Sequence, residues 1–312
     1  MTSDELRVIV NPTAARGAVG REWPEMRSLL LNEGLVFNDA LTEAPGHATE
    51  LAREALLAGY GTVVAVGGDG TVNEVVNGLI DGSEVGYGKV PPVNLAVISR
   101  GTGCDLMRTL GHRDPVAAVR LLRQSQATRT IDLGEIIIER DGKTTRRLFV
   151  NAAGFGFDGA VVEDMLGRAK VGKRPHGTLA YLAQVTRSVM HYRSKQARFT
   201  IEGKTRSLPI TALFACNGKY FGGGMKVAPQ ADPTDGLFDI ILIKATSPLG
   251  LLARVPSVYL GWHTHLKVVE TSRAREVRVE SDERLLLEAD GELIGQAPAT
   301  LRILPQALRL RV

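Results

Sequence analysis

Two short runs of this 312-residue chain carry residue types suited to moving a phosphate. The first is Val66-Gly67-Gly68-Asp69-Gly70-Thr71-Val72-Asn73, which follows the apolar, β-branched run Thr62 to Val66. Glycines without a Cβ let the backbone turn tightly and approach another group closely. A helix opening there offers free N–H groups and the positive end of its dipole to an anion. Thr71 and Asn73 can add side-chain hydrogen bonds, and Asp69 sits among the glycines. A second turn of the same kind, Ser99-Arg100-Gly101-Thr102-Gly103-Cys104-Asp105, follows the next apolar run, so the two loops can face each other across one phosphate chain. The other run is Asp290-Gly291-Glu292, two acids separated by a glycine. They could project from a tight turn into a cleft, where a carboxylate can orient and deprotonate a hydroxyl. The same residues read equally well as an ordinary Asp-Gly hairpin between Leu285-Leu286-Leu287 and Leu293-Ile294. Asp235-Gly236, after Pro233, has the same double reading.

Spacing excludes other glycine motifs. A dinucleotide fingerprint needs a third glycine where Asn73 stands, and a Walker loop needs glycines where Ile137 and Arg198 stand, ahead of the triplets Gly142 to Thr144 and Gly203 to Thr205.

The elements that must position these residues change character along the chain. Leu6 to Val10, Val36 to Leu41, Thr62 to Val66 and Val93 to Ile98 read as strands. Between them, Trp23 to Gly34, Ala48 to Leu57 and Thr71 to Ile80 have helical spacing, and Pro115 to Gln124 adds a further helix. Strands alternating with helices predict a parallel sheet covered on both faces. From Thr130 the chain is mostly β: a hairpin across Asp141-Gly142, then Ile201 to Leu208, Leu213 to Cys216, Leu237 to Ile243, Val277 to Glu280 and Leu285 to Leu287. Helices are expected over Thr178 to His191 and Ser247 to Tyr259. The expectation is an α/β domain with a parallel sheet over 1–133 and a β-rich sandwich domain over 134–300.

Composition narrows the function. Hydrophobic residues at 44% and charged residues at 23% are those of a folded globular chain. No apolar run approaches the roughly 18 residues a membrane span needs, and the acidic Met-Thr-Ser-Asp-Glu start differs from a secretory signal, so a cytoplasmic protein is expected. Cys104 and Cys216 are too few for a disulfide framework, and His263 and His265 lack a metal-ligand pattern. A net charge of +4 with 5% aromatics argues against nucleic acid as the partner. Arg168, Lys170, Lys173 and Arg174 form a basic stretch that either lies solvated or meets an anionic membrane.

Gly-Gly-Asp-Gly-Thr followed by Val-Asn-Glu-Val-Val-Asn-Gly-Leu resembles the bacterial diacylglycerol kinase and lipid kinase family, related to sphingosine and ceramide kinases. The likeness continues in order along nearly the whole chain: Asn11-Pro12, Thr42 with Gly46-His47-Ala48, Gly101-Thr102 with Asp105, Phe155 to Asp158, Ala228-Pro229 through Asp239, and Asp290-Gly291-Glu292. The resemblance makes the first domain a nucleotide-binding domain and implies an ATP- and magnesium-dependent kinase for a lipid hydroxyl, diacylglycerol to phosphatidic acid first, visiting the membrane as a peripheral protein. It implies nucleotide contacts from Asn11, Thr42, Gly67, Gly68, Asp69, Gly70, Thr71, Val72, Asn73 and Thr102. It places a magnesium ion on the Asp235 side chain with the carbonyls of Asp232 and Leu237, and makes Glu292 the general base assisted by Asp290, with Asp69 reaching magnesium directly or through water. It also implies that 301–312 returns to the first domain. The family often has Pro-x-Gly-Thr-x-Asn-Asp-Phe where this chain has Ser99 to Leu106, so Arg100 and Cys104 are departures. Phosphatidylglycerol, a sphingoid base or a soluble acceptor such as NAD remain alternative acceptors, because Gly-Gly-Asp-Gly also occurs in NAD kinases and phosphofructokinases. A non-catalytic nucleotide sensor at the membrane surface is the alternative of a different class.

Overall fold

The run Thr62 to Val66 becomes the centre of a parallel sheet. In the computed structural model, which describes residues 5–81, 90–100, 103–112, 114–124, 126–170 and 186–311, β3 (Thr62–Gly67) lies between β1 (Leu6–Val10) and β4 (Asn94–Ser99), with β2 (Phe37–Leu41) outside β1. Every residue of β3 is buried. Val63 and Ala65 pack with α2 (His47–Leu57) and α3 (Asp69–Asp81), while Val64 and Val66 pack with α1 (Ala14–Asn32) and α5 (Pro115–Gln124). That is the two-residue alternation of a strand covered on both faces. Each such valine contributes about 1.5–3 kcal/mol through its burial. The short α4 (Asp105–Leu110) follows β4.

After α5 the chain forms a sandwich-like β unit. β5 (Thr128–Arg140) and β6 (Lys143–Phe149) make the hairpin expected across Asp141-Gly142. β7 (Ala152–Gly156), α6 (Phe157–Lys170), β8 (Lys195–Ile201), β9 (Lys204–Cys216), β10 (Phe238–Lys244) and α7 (Pro248–Leu260) follow. A 3₁₀ turn over Trp262–His265 leads to β11 (Val269–Ala274), β12 (Glu276–Glu280), β13 (Leu286–Ala289), β14 (Glu292–Gln296) and β15 (Ala299–Arg311). Its core gathers Phe149, Phe155, Phe199 and Phe238, with Phe149 stacked on Phe238 at 5.5 Å between ring centroids.

Two long strands cross between the cores. On β5, Ile131 and Leu133 belong to the first core and Ile136 to the second; on β15, Leu301 and Ile303 belong to the second and Leu308 and Leu310 to the first. β15 pairs antiparallel with β5 and, through Arg309 and Leu310, parallel with β4. Hydrogen bonding therefore runs unbroken from one half into the other.

Some expectations need correction. α3 starts at Asp69, two residues early, because the acid fits the first turn of a helix. Ile201 to Leu208 is not one strand: Glu202 and Gly203 take φ of 46° and 75° and fold β8 back on β9. Helix is described over 186–191; the rest of the stretch expected from Thr178 lies outside the described residues, as do Lys173, Arg174 and Thr102. No helix among the described residues is long and apolar enough to cross a membrane.

Candidate active site

The glycine loop leaves the carboxyl end of β3, the edge where open α/β sheets take ligands. Asn11 ends β1 beside it, with its backbone N–H on the Val66 carbonyl (3.0 Å) and its Nδ2 on Thr71 Oγ1 (3.0 Å). A Cβ on Gly67 would collide with the Thr71 side chain, so the glycine is required for this brace. Thr42 ends β2, its N–H on the Val10 carbonyl at 2.8 Å. Asn11, Thr42 and Gly67 to Thr71 thus sit at neighbouring strand ends.

Asp69 ties the two loops together: its Oδ1 accepts the Asp105 N–H at 2.7 Å. Asp105 in turn accepts the N–H of Gly223, from the second half of the chain, at 3.0 Å. A Cβ on Gly103 would press against both Asp69 and Gly223. Burial, reinforced by the adjacent Asp105 carboxylate, raises the Asp69 carboxyl to about 6. Burial also raises Asp105, whose buried Oδ1 accepts no hydrogen bond. Arg108 Nε stands 4.0 Å from that oxygen and offsets part of the charge of the pair, which otherwise favours a cation. Magnesium is commonly held by one or two carboxylates plus phosphate oxygens, which suits this pair.

The two departures in the second loop have structural explanations. Arg100 pairs with Glu22 at 3.1 Å, so its charge is answered by an acid. Cys104 is buried in the left-handed conformation (φ 49°) as the cap of α4. Asparagine, which the resemblance leads one to expect there, is one of the few non-glycine residues that visit that conformation readily.

Helix geometry redirects two of the expected nucleotide contacts. With 3.6 residues per turn, Val72 and Asn73 rotate away from the loop mouth. Val72 enters the core against Val75 and Leu106. Asn73 is buried and donates to the Leu148 carbonyl (3.1 Å) and to Asp290 Oδ2 (2.8 Å). Its side chain joins the loop helix to the acid turn instead of reaching into the loop.

Asp290 and Gly291 take φ of 47° and 86° and form the hairpin turn between β13 and β14, so the turn and the acid pair are one feature. Asp290 accepts the N–H groups of Val150 (2.6 Å), Asn151 (2.9 Å) and Ala152 (3.2 Å) as well as Asn73. Burial pushes its carboxyl up, and these donors oppose the shift. Glu292 is held differently. Its side chain is 40% exposed and meets Arg147 Nη2 at 2.8 Å, and the same nitrogen donates to Asn73 Oδ1 at 3.1 Å. Arg147 was invisible as a site residue in the sequence, where it looks like one more charge on an exposed hairpin strand.

Behind the turn lies a second pair of acids that sequence reasoning also missed. Asp158 and Glu288 are both buried and influence each other's titration, and neither Asp158 oxygen accepts a hydrogen bond. Glu288 accepts the Gly291 N–H at 3.1 Å, from the centre of the turn. Burial raises Asp158 to about 7 and Glu288 well above the usual range, so the pair retains a proton near neutrality. α6 reaches this position because Gly159 lets it sit directly on Leu286.

The residues expected to hold a metal, Asp232, Asp235 and Leu237, share one turn, in which the Asp235 N–H reaches the Asp232 carbonyl at 3.4 Å. Asp235 pairs with Arg273 and accepts the Leu237 N–H (3.0 Å), and Asp232 accepts from the Thr234 N–H and hydroxyl (3.1 and 2.7 Å). Arg273 supplies a positive charge beside Asp235 in this structure. Asp132, fully buried, anchors this turn by accepting the N–H groups of Gly236 and Gln306, both at 2.7 Å. His263 is a packing residue, its Nε2 on the Val227 carbonyl at 2.9 Å.

Comparison with known proteins matches each half of the chain to a known domain. Residues 5–136 match the model of the diacylglycerol kinase catalytic domain, and residues 151–312 match the YegS C-terminal NAD kinase beta sandwich-like domain. A putative lipid kinase, YtlR, from Bacillus subtilis is 29% identical over 97% of this chain and 98% of its own length. A diacylglycerol kinase from Mycobacterium tuberculosis is 28% identical over 98% of this chain and 94% of its own length. A probable YegS-like lipid kinase from Pseudomonas aeruginosa is 31% identical over 87% of this chain and 83% of its own length. The crystal structure of a putative diacylglycerol kinase from Bacillus anthracis superposes with a TM-score of 0.77 at 22% identity, covering 100% of this chain and 96% of that one.

Proposed function

The chain belongs to the family of diacylglycerol kinases and YegS-like lipid kinases, and we propose that it transfers the γ-phosphoryl group of ATP to the hydroxyl of a lipid alcohol, diacylglycerol first. The observation that carries this reading is the bond between Asn73, on the helix that opens the glycine loop, and Asp290, in the acid turn. It brings a phosphate cradle from one half and a carboxylate pair from the other to the same place. Phosphoryl transfer needs little more than positioning, charge neutralisation and a proton acceptor.

The backbone N–H groups at Gly68 to Gly70 and the start of α3 hold the nucleotide phosphates, with Asn11 and Thr42 at the loop's flanks. Asp69 and Asp105 would hold magnesium, which when bound neutralises charge on the phosphates. Glu292, the more exposed acid of the turn, takes the proton from the attacking lipid hydroxyl. Asp290, saturated with hydrogen bonds, fixes the turn that presents Glu292. Arg147 orients Glu292 against α3. Phosphatidylglycerol or a sphingoid base would present a similar hydroxyl to the same base.

Glu292→Gln tests the assignment. Transfer should fall by about 10²–10⁴-fold while ATP affinity and circular dichroism stay near those of the unmodified protein. A variant with a near-normal rate removes Glu292 from the role of base.

A further inference from the structure

α7 is unusual among the helices because none of its residues is buried. Its sequence, Pro-Leu-Gly-Leu-Leu-Ala-Arg-Val-Pro-Ser-Val-Tyr-Leu, is nevertheless almost wholly apolar. Leu249 is 69% exposed, Tyr259 50% and Leu260 55%, and Trp262 just beyond the helix is 65% exposed. A surface of large apolar side chains gathered on one element marks an interaction site.

Charge says what kind of partner fits. From Ala245 to Val269 there is no aspartate or glutamate, while Arg254 and Lys267 are positive. Apolar residues with scattered cations and no acids suit the interface of an anionic bilayer, where the basic heads meet lipid phosphates. Trp262 and Tyr259 lie together at the helix end, and both are residues that favour the headgroup level of a membrane.

Position links this surface to the site. Gly261 packs against Lys226 and Pro229, and His263 bonds the Val227 carbonyl. The same loop donates the Gly223 N–H to Asp105 and the Lys219 N–H to Thr109 Oγ1, at 3.0 and 3.1 Å. The apolar surface is thus built onto the loop that borders the Asp69 and Asp105 acids.

We propose that α7 and Trp262 form the surface by which this protein docks on an anionic lipid bilayer, with Leu249, Tyr259, Leu260 and Trp262 entering the interface. The loop from Lys219 to Pro229 then holds the Asp69 and Asp105 acids on the side of the molecule that meets the membrane containing the acceptor. The inference rests on the acceptor being a lipid, but its test needs no turnover, so the two ideas can fail separately.

The chain has two tryptophans, Trp262 and the buried Trp23, so fluorescence can follow docking directly. Adding phosphatidylcholine vesicles that contain phosphatidylglycerol should shift the emission to the blue, more strongly than phosphatidylcholine alone, and Trp262→Phe should abolish the shift. Leu249→Ser/Leu260→Ser, both at exposed positions, should weaken sedimentation with these vesicles by at least ~10-fold. The same pair should phosphorylate a short-chain acceptor below its micellar concentration at an unaltered rate. An unchanged spectrum, or equal vesicle binding by the double variant, overturns the proposal. So does a dimer in sedimentation that Leu249→Ser/Leu260→Ser dissociates, because the surface would then belong to a second copy of the chain.

Discussion

Two hairpins of the molecule turn on the same dipeptide, and only one of them belongs to the proposed site. Asp141-Gly142 joins β5 to β6 with φ of 52° and 72°; Asp290-Gly291 joins β13 to β14 with φ of 47° and 86°. Both follow the Asp-Gly preference for turns with positive φ at their two central residues. The Asp141 side chain is 92% exposed, with Arg140 at 3.8 Å, whereas Asp290 accepts hydrogen bonds from Asn73 and three successive backbone N–H groups. The difference arises elsewhere in the chain, where the bend from β6 to β7 aims the N–H groups of Val150, Asn151 and Ala152 at one carboxylate. A dipeptide sets the turn; its surroundings make a site of it.

Asparagine is as good a turn residue as aspartate, so the same substitution separates the two turns cleanly. Asp290→Asn places an NH₂ against donors that need an acceptor. We expect a loss of about 1–3 kcal/mol in denaturant unfolding, together with a fall of at least ~10-fold in phosphoryl transfer.

Asp69→Asn should act in the opposite direction on stability. The folded carboxyl titrates near 6 against 3.8 when free, so the folded state binds its proton more tightly, and the stability due to that proton is lost as pH rises between those values. The variant does not titrate and should gain roughly 1–3 kcal/mol over the unmodified protein at pH 8, with the difference fading toward pH 4. Equal melting-temperature profiles across that range would contradict the buried charge. Activity should be lost in the same variant, since the acid is kept for function at the expense of stability.

Arg147→Ala removes the link between Glu292 and Asn73 and should lower kcat by about tenfold with little change in the Michaelis constant for ATP. The smallest effect belongs to Asp141→Asn, within about 0.5 kcal/mol and with full activity. A large effect there would mean that the turn itself, and not its setting, carries the cost.

Much of the site could be read from the sequence because it is local. The glycine loop, the β-branched strand before it and the Asp-Gly turns are short patterns whose residue types determine their backbone. What could not be read depends on distant residues meeting. Asn73 faces Asp290 because of helix rotation and a partner 217 positions away. Arg147, Asp158 and Glu288 have no local signature, since each matters only through the packing of β6, α6 and β13 around one turn. The β8–β9 turn was missed because its Glu-Gly pair lacks the Asn or Asp cue, although the backbone adopts the same positive φ there. The exposed side of α7 was hidden too, because an apolar helix reads as a buried one until its surroundings are known.

The most direct test of the account is transfer of labelled γ-phosphate from ATP, with magnesium, into a panel of lipid alcohols in mixed micelles, with NAD and a no-acceptor control in the same run. The account predicts a labelled lipid, diacylglycerol first, and no labelled NADP. Label in NADP with none in any lipid would contradict it, as would ATP hydrolysis without a phosphorylated acceptor.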